Sequence, residues 1–245
     1  MAQLLPTETA TTPDFSLYRN NWNETLPNTL PEERNLGACV ADDRFRALLG
    51  DPAWFSLPAA TRTRFGRKAV AGRTITYLGE VTACKANFWG RCLAQIGRLV
   101  GGPLPLHADL AVAAAVTVAE DEAEAGQIWT RQYGRHCGFP QVIHSVKRFA
   151  GKTGLEEYLG FGLGIALTVR VADGALWFES DHYFLRIGNR RLGLLRWLNP
   201  GALTIGHIDH GNGWFTFTLD LVHAGFGRLM HQECRFTEAV AGTIQ

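Results

Sequence analysis

From residue 110 onward, apolar and polar side chains alternate along short segments separated by clusters of Gly, Asn, Asp and Ala. A period of two marks a strand, because successive side chains point to opposite faces. Strands are therefore predicted over 112–120, 127–133, 142–149, 155–171, 175–185, 203–209, 214–222 and 228–237. The turn signals AEAG, RHCG, AGKTG, ADG, NPG, HGNG and HAGFG fall between them. Earlier in the chain, Thr74–Ala86 also alternates and is rich in β-branched residues. Asn87 then offers an N-cap to a helix over 88–100, where Phe88, Trp89, Cys92, Leu93, Ile96, Leu99 and Val100 form an apolar stripe. Gly101, Gly102 and Pro103 end it, and Arg91 and Arg98 are expected on its wet side. Shorter helices are predicted over 42–49, with Asp42 or Asp43 as N-cap and Gly50 as stop, and over 58–65.

Many strands after one sizeable helix suggest a meander rather than βαβ units, and so long a sheet should curl. The expected fold is mainly β: a strongly curved antiparallel sheet, half-barrel or barrel, with one amphipathic helix covering the concave side. Residues 1–40, rich in Thr, Pro, Asn and Glu, are expected to form an irregular arm, and 41–245 a single domain.

Composition narrows the function classes. Lys and Arg number 24 against 23 Asp and Glu, so there is no basic field to hold a nucleic acid backbone. Five scattered cysteines without a CxxC pair argue against a disulfide framework and a cysteine zinc site. No basic and apolar leader opens the chain, and no apolar run is long enough for an integral membrane helix. The expectation is a soluble cytoplasmic protein. GHIDHGNG carries His207 and His210, but HxxH without a third spaced ligand reads better as a surface hairpin than as a metal site. GxSxG, HExxH and P-loop motifs are absent, and no cofactor is indicated.

Candidate chemistry concentrates between residues 126 and 171. Over 155–171 the odd positions are apolar apart from Glu157, while Gly160, Gly162 and Gly164 leave the even face bare. That bareness suits either a bend with helix packing or a ligand lying against it. One strand earlier, Gln141 and Lys147 share one face, and His144 and Arg148 the other. Trp129 and Arg131 share a face on the strand before that. If these strands are neighbours, the charges line up across them, either as an interior network or as ordinary ion pairs on a solvated face.

The segments WTRQYG, GFPQVIHSVKRF, GLEEYLG, DGALWFES, LRWLNPGALT and FGRLMHQ, in this order, resemble a bacterial family, domain of unknown function 4166. The resemblance runs from about Phe45 to Glu238 and implies no activity or catalytic residues. Two turns depart from the family pattern, at LLRWLNP and HAGFG. Members joined to reductases of the saccharopine dehydrogenase type make such a reductase a possible partner.

Three functions follow as expectations. The first is binding of a hydrophobic or amphipathic small molecule by Trp129, Arg131, Gln141, His144, Lys147, Glu157, Phe161 and Trp177. The second is a cofactor-independent isomerase, cyclase or hydrolase, with His144 or Glu157 as general base and Arg131 or Lys147 stabilising an anion. The third is a partner domain of a reductase, with an exposed apolar patch and no enclosed space.

Overall fold

The computed structural model describes residues 39–238. The expected N-terminal arm lies outside them except for Cys39 and Val40, which start a short strand, β1 (Cys39–Ala41). Helices α1 (Arg44–Leu49), α2 (Asp51–Ser56) and α3 (Ala59–Phe65) follow, then β2 (Arg67–Ala69), which pairs with β1. Helix α2 has no counterpart in the sequence reading. Next come β3 (Thr74–Ala86), α4 (Phe88–Gly97) with a 3-10 turn over Arg98–Val100, β4 (Ala113–Asp121), β5 (Gly126–Tyr133) and β6 (Gln141–Arg148). The rest is β7 (Leu155–Gly160), β8 (Leu163–Ala172), β9 (Ala175–Ile187), β10 (Arg190–Gly193), β11 (Ala202–Gly211), β12 (Trp214–His223) and β13 (Gly227–Glu238).

All strands but β1, β2 and β10 form one closed antiparallel barrel of ten strands. Each pairs with the next barrel strand in sequence, and the ring closes where β13 pairs with β3, from Tyr77↔Glu238 to Ala86↔Met230. Closure leaves no exposed edge in the ring. Strand β10 lies outside it, hydrogen-bonded to the end of β9.

The segment 155–171, read as one strand, is two. Phe161 and Gly162 both take positive φ, 48° and 80°, and make a two-residue hairpin turn. The bare glycine face is met by protein. A Cβ on Gly160 would strike the Val100 carbonyl, one on Gly162 the Arg186 carbonyl, and one on Gly164 the Phe184 ring.

The two ends of the barrel differ. At one end α1, α2 and α3 form a plug. Phe45 of α1 is fully buried, edge-on to Phe65, Phe149 and Phe178. Ion pairs clamp the plug to the wall: Arg44 of α1 bonds both Glu120 oxygens at 2.8 Å, and Arg64 of α3 pairs with Asp209 of β11. Of the two expected caps, Asp42 accepts the Arg44 amide at 3.1 Å, while Asp43 makes no capping bond.

At the opposite, open end lies α4. The Asn87 side chain caps it by accepting the Gly90 amide at 2.8 Å, and its Nδ2 donates to the Phe226 carbonyl. The helix seats on β13 through its small residues: a Cβ on Gly90 would collide with the Leu229 carbonyl, and Gly90, Ala94 and Gly97 are buried. The apolar stripe is therefore not the packing face, and Phe88, Trp89, Ile96 and Leu99 are exposed.

His207, expected in a surface hairpin, is buried beside the plug among Phe65, Phe215 and Phe217. Neither ring nitrogen has a hydrogen-bond partner among the described residues. Burial, with the Arg64 charge nearby, pushes its pKa down to about 3. His207 is neutral when folded but takes a proton near pH 6.5 once unfolded, so stability falls as pH drops from 6.5 toward 3. The slope from this group is about 1.4 kcal/mol per pH unit. In urea titrations at pH 7 and pH 5, His207→Leu is expected to remove about 2 kcal/mol of the wild-type loss. An unchanged loss in the variant would place the acid sensitivity elsewhere.

Candidate functional site

Adjacent strands β5, β6 and β7 carry the charges that the sequence singled out. In β5, Gln127, Trp129, Arg131 and Tyr133 share the inward parity. In β6 it is Gln141, Ile143, Ser145 and Lys147, and in β7 Leu155, Glu157 and Leu159. Lys147 and Glu157 are directly opposite in the β6–β7 register. Lys147 Nζ meets Glu157 Oε2 at 2.7 Å, and Arg131 Nη2 donates to Glu157 Oε1 at 2.7 Å and to Ser145 Oγ at 3.0 Å. The Lys147 ammonium also lies 4.9 Å from the centre of the Trp129 ring. One buried carboxylate thus bridges two cations, a formal excess of one positive charge inside the barrel.

Burial opposes the charge on each member, and the geometry decides which yields. Burial alone would raise the Glu157 pKa, but Lys147 and Arg131 together hold its carboxyl well below the usual carboxylate range. For Lys147 burial wins: its pKa falls below that of an ordinary lysine despite the attraction of Glu157. Arg131 stays charged, since Glu157 more than offsets its desolvation. Among the described residues only its Nη2 bonds to a side chain, so Nε and Nη1 keep unspent donors.

Above this bridge the barrel is hollow. The space measures about 300 Å³ and is bordered by Arg131, Glu157 and Tyr183 among otherwise apolar side chains. Leu93, Ile96, Leu99 and Val100 form one wall, Leu159, Leu163 and Ile165 a second, and Leu203, Ile205, Leu219 and Leu221 a third. Below the bridge the interior is nearly filled, leaving only about 60 Å³ between Trp129, Phe178, Phe217 and their neighbours.

The structure thus gathers Trp129, Arg131, Lys147 and Glu157, and leaves the other nominated residues elsewhere. Gln141 faces inward but is spent on the chain: it accepts from the Leu106 amide and donates to the Leu104 carbonyl, both at 2.9 Å. It thereby fixes the loop that carries Leu104 to the hollow. His144 is on the outer face, exposed and 3.0 Å from Thr130 Oγ1. Trp177 is also outside, covering Gly206 and donating to the Ala172 carbonyl. Phe161 sits at a hairpin tip on the open end. His207 and His210 point to opposite faces of β11, and among the described residues no cluster of His, Cys, Asp and Glu could hold a metal. Sequence reading missed Ser145, Tyr183 and the leucines of 194–203. The unburied stripe of α4 was visible, but its direction was not.

Among the described residues no helix is long and apolar enough to cross a membrane. The model of a family described as Domain of unknown function (DUF4166) matches residues 57–236. No curated protein and no solved structure matches the chain.

If Glu157 is the shared counter-charge, removing it should cost far more than removing one cation. Glu157→Gln strands Arg131 and Lys147 and is expected to cost roughly 3–5 kcal/mol. Lys147→Met leaves a matched Arg131–Glu157 pair and should cost less than about 2 kcal/mol. Urea unfolding of both variants at pH 7 measures the difference, and equal losses would contradict the bridge.

Proposed function

The chain belongs to the DUF4166 family of domains of unknown function, and we propose that its barrel binds an amphipathic small molecule with an anionic head group. The observation that carries this reading is the junction of an apolar hollow with the unspent donors of Arg131. A volume of about 300 Å³ is at the lower end of the range for small-molecule sites, roughly 300–1,000 Å³. Apolar walls contribute about 0.8 kcal/mol for each methylene they remove from water. A guanidinium with free donors fixes a carboxylate or phosphate by charge-assisted hydrogen bonds. The excess positive charge of the bridge favours an acidic head over a neutral one.

Binding is favoured over turnover. Of the two candidate bases, His144 faces outward, and both oxygens of Glu157 are engaged by cations that weaken it as a base. The partner-domain reading expected no enclosed space, so the hollow counts against it as the sole role.

Calorimetric titration with straight-chain octanoate and octanol tests the reading. Wild-type protein is expected to prefer octanoate by about tenfold or more, the value of a charge-assisted bond. Arg131→Met should erase the preference while keeping octanol binding, and Leu219→Trp, which fills the hollow, should abolish both. Failure of the wild type to bind either ligand, or equal binding of the two, would overturn it.

A further inference from the structure

The loops of the open end carry exposed apolar side chains that the core does not explain, and of Phe139, Phe161, Trp197, Leu99 and Phe226 only Leu99 also borders the hollow. The β5–β6 loop carries Phe139 at 92% exposure and the β7–β8 turn Phe161 at 83%. The β9–β11 connection carries Trp197 at 77%, the end of the α4 segment Leu99 at 76%, and the β12–β13 turn Phe226, also exposed. Strand direction sends all five to one end of the barrel, around the mouth of the hollow.

The hairpin tips supply an independent comparison. Three two-residue turns use the same left-handed backbone: Phe161-Gly162 at the open end, Asp173-Gly174 and Asn212-Gly213 at the plugged end. Their first residues have φ of 48°, 52° and 53°. Asp and Asn tolerate this region, whereas a bulky side chain is disfavoured in it. Phe161 accepts that strain while its ring lies almost wholly in water, so it gains nothing within the fold.

The connections of the open end are also basic. Over 87–112, 134–140, 161–162, 194–201 and 223–226 the charged residues are Arg91, Arg98, Arg135 and Arg196 against Asp109 alone. The whole chain is nearly balanced, 24 to 23. Arg91 and Arg98 are exposed, while Arg135 pairs with Asp109.

We infer that the open end of the barrel docks on an anionic lipid bilayer, its aromatic and leucine tips entering the interface and its arginines meeting the head groups. Separate protruding tips suit a soft interface better than a shape-matched protein surface, since Trp and other large apolar side chains partition into the headgroup region. Each basic group near an anionic surface adds attraction that salt screens. If the barrel also binds an amphipathic molecule, as proposed above, this orientation lets the molecule pass between bilayer and hollow without crossing water.

The test is co-sedimentation of the full chain with vesicles of phosphatidylcholine alone, or with roughly one-third phosphatidylglycerol, at low and high salt. Wild-type protein should pellet with the anionic vesicles at low salt, and at least about tenfold less in high salt or with neutral vesicles. Phe139→Ser/Phe161→Asn/Trp197→Ser should reduce binding at least about tenfold. Phe161→Asn alone should weaken binding and leave the protein at least as resistant to urea, because Asn suits the turn; this excludes unfolding as the cause of lost binding. Wild-type protein that stays in the supernatant with anionic vesicles, or a triple variant that binds as well, would overturn the inference. A dimer or reductase complex in size-exclusion runs, dissolved by the same three changes, would reassign the tips to a protein interface. Vesicle binding without octanoate binding would count against the ligand reading alone.

Discussion

A ring of ten antiparallel strands encloses more room than side chains of ordinary size can fill. Eight strands leave an interior that side chains just occupy, and each further strand widens it. The rest of this structure follows from how the surplus is handled. At one end helices α1, α2 and α3 supply extra bulk, and Phe45, Phe65, Phe178, Phe215 and Phe236 complete a dense aromatic layer. At the other end the described residues build no such plug. Helix α4 lines the mouth from one side, seated on β13 by the close approach of Gly90 to Leu229, with its large residues left free.

The Lys147–Glu157–Arg131 bridge marks the boundary between these two regimes. A trio of apolar side chains of similar volume would stabilise the fold at least as well, because buried ion pairs rarely recover their desolvation cost. A charged layer of this kind therefore points to a role other than stability. The aromatic neighbours Trp129 and Phe178, which flank the Lys147 ammonium, exclude water from its lower side. The polar character of the bridge is thus directed toward the hollow, where Arg131 retains unused donors.

Much of the sheet was legible because alternation and turn residues are local signals. Strand β3 and the Asn87 cap could be read from the sequence directly. Closure was not legible, since the β3–β13 pairing joins distant parts of the chain and no local pattern encodes it. The hairpin at Phe161-Gly162 was hidden by chemistry: alternation ran on through a phenylalanine where turns usually hold Asn or Asp. Parity assigned partners to faces without saying which face was inside. In β6 the inward set is Gln141, Ile143, Ser145 and Lys147, while the outward set includes Val142 and Val146. Hydrophobicity does not choose between these sets, and so His144 was nominated beside Lys147 although it points the other way. Trp177 fails as a ligand residue for a related reason: its parity opposes that of the buried Phe178.

The pairing of the first barrel strand with the last also governs how the molecule is made. Strand β3 pairs with β4 early, but its other edge waits for a partner until residues 227–238 have been synthesised. Until then the growing sheet carries two unpaired edges, and its aromatic layer lacks part of one wall. Every intermediate on that route is therefore an open ribbon with strand edges available to a neighbouring chain. The final twelve-residue strand acts as a keystone, and a chain that stops before it would be a template for aggregation rather than a smaller barrel.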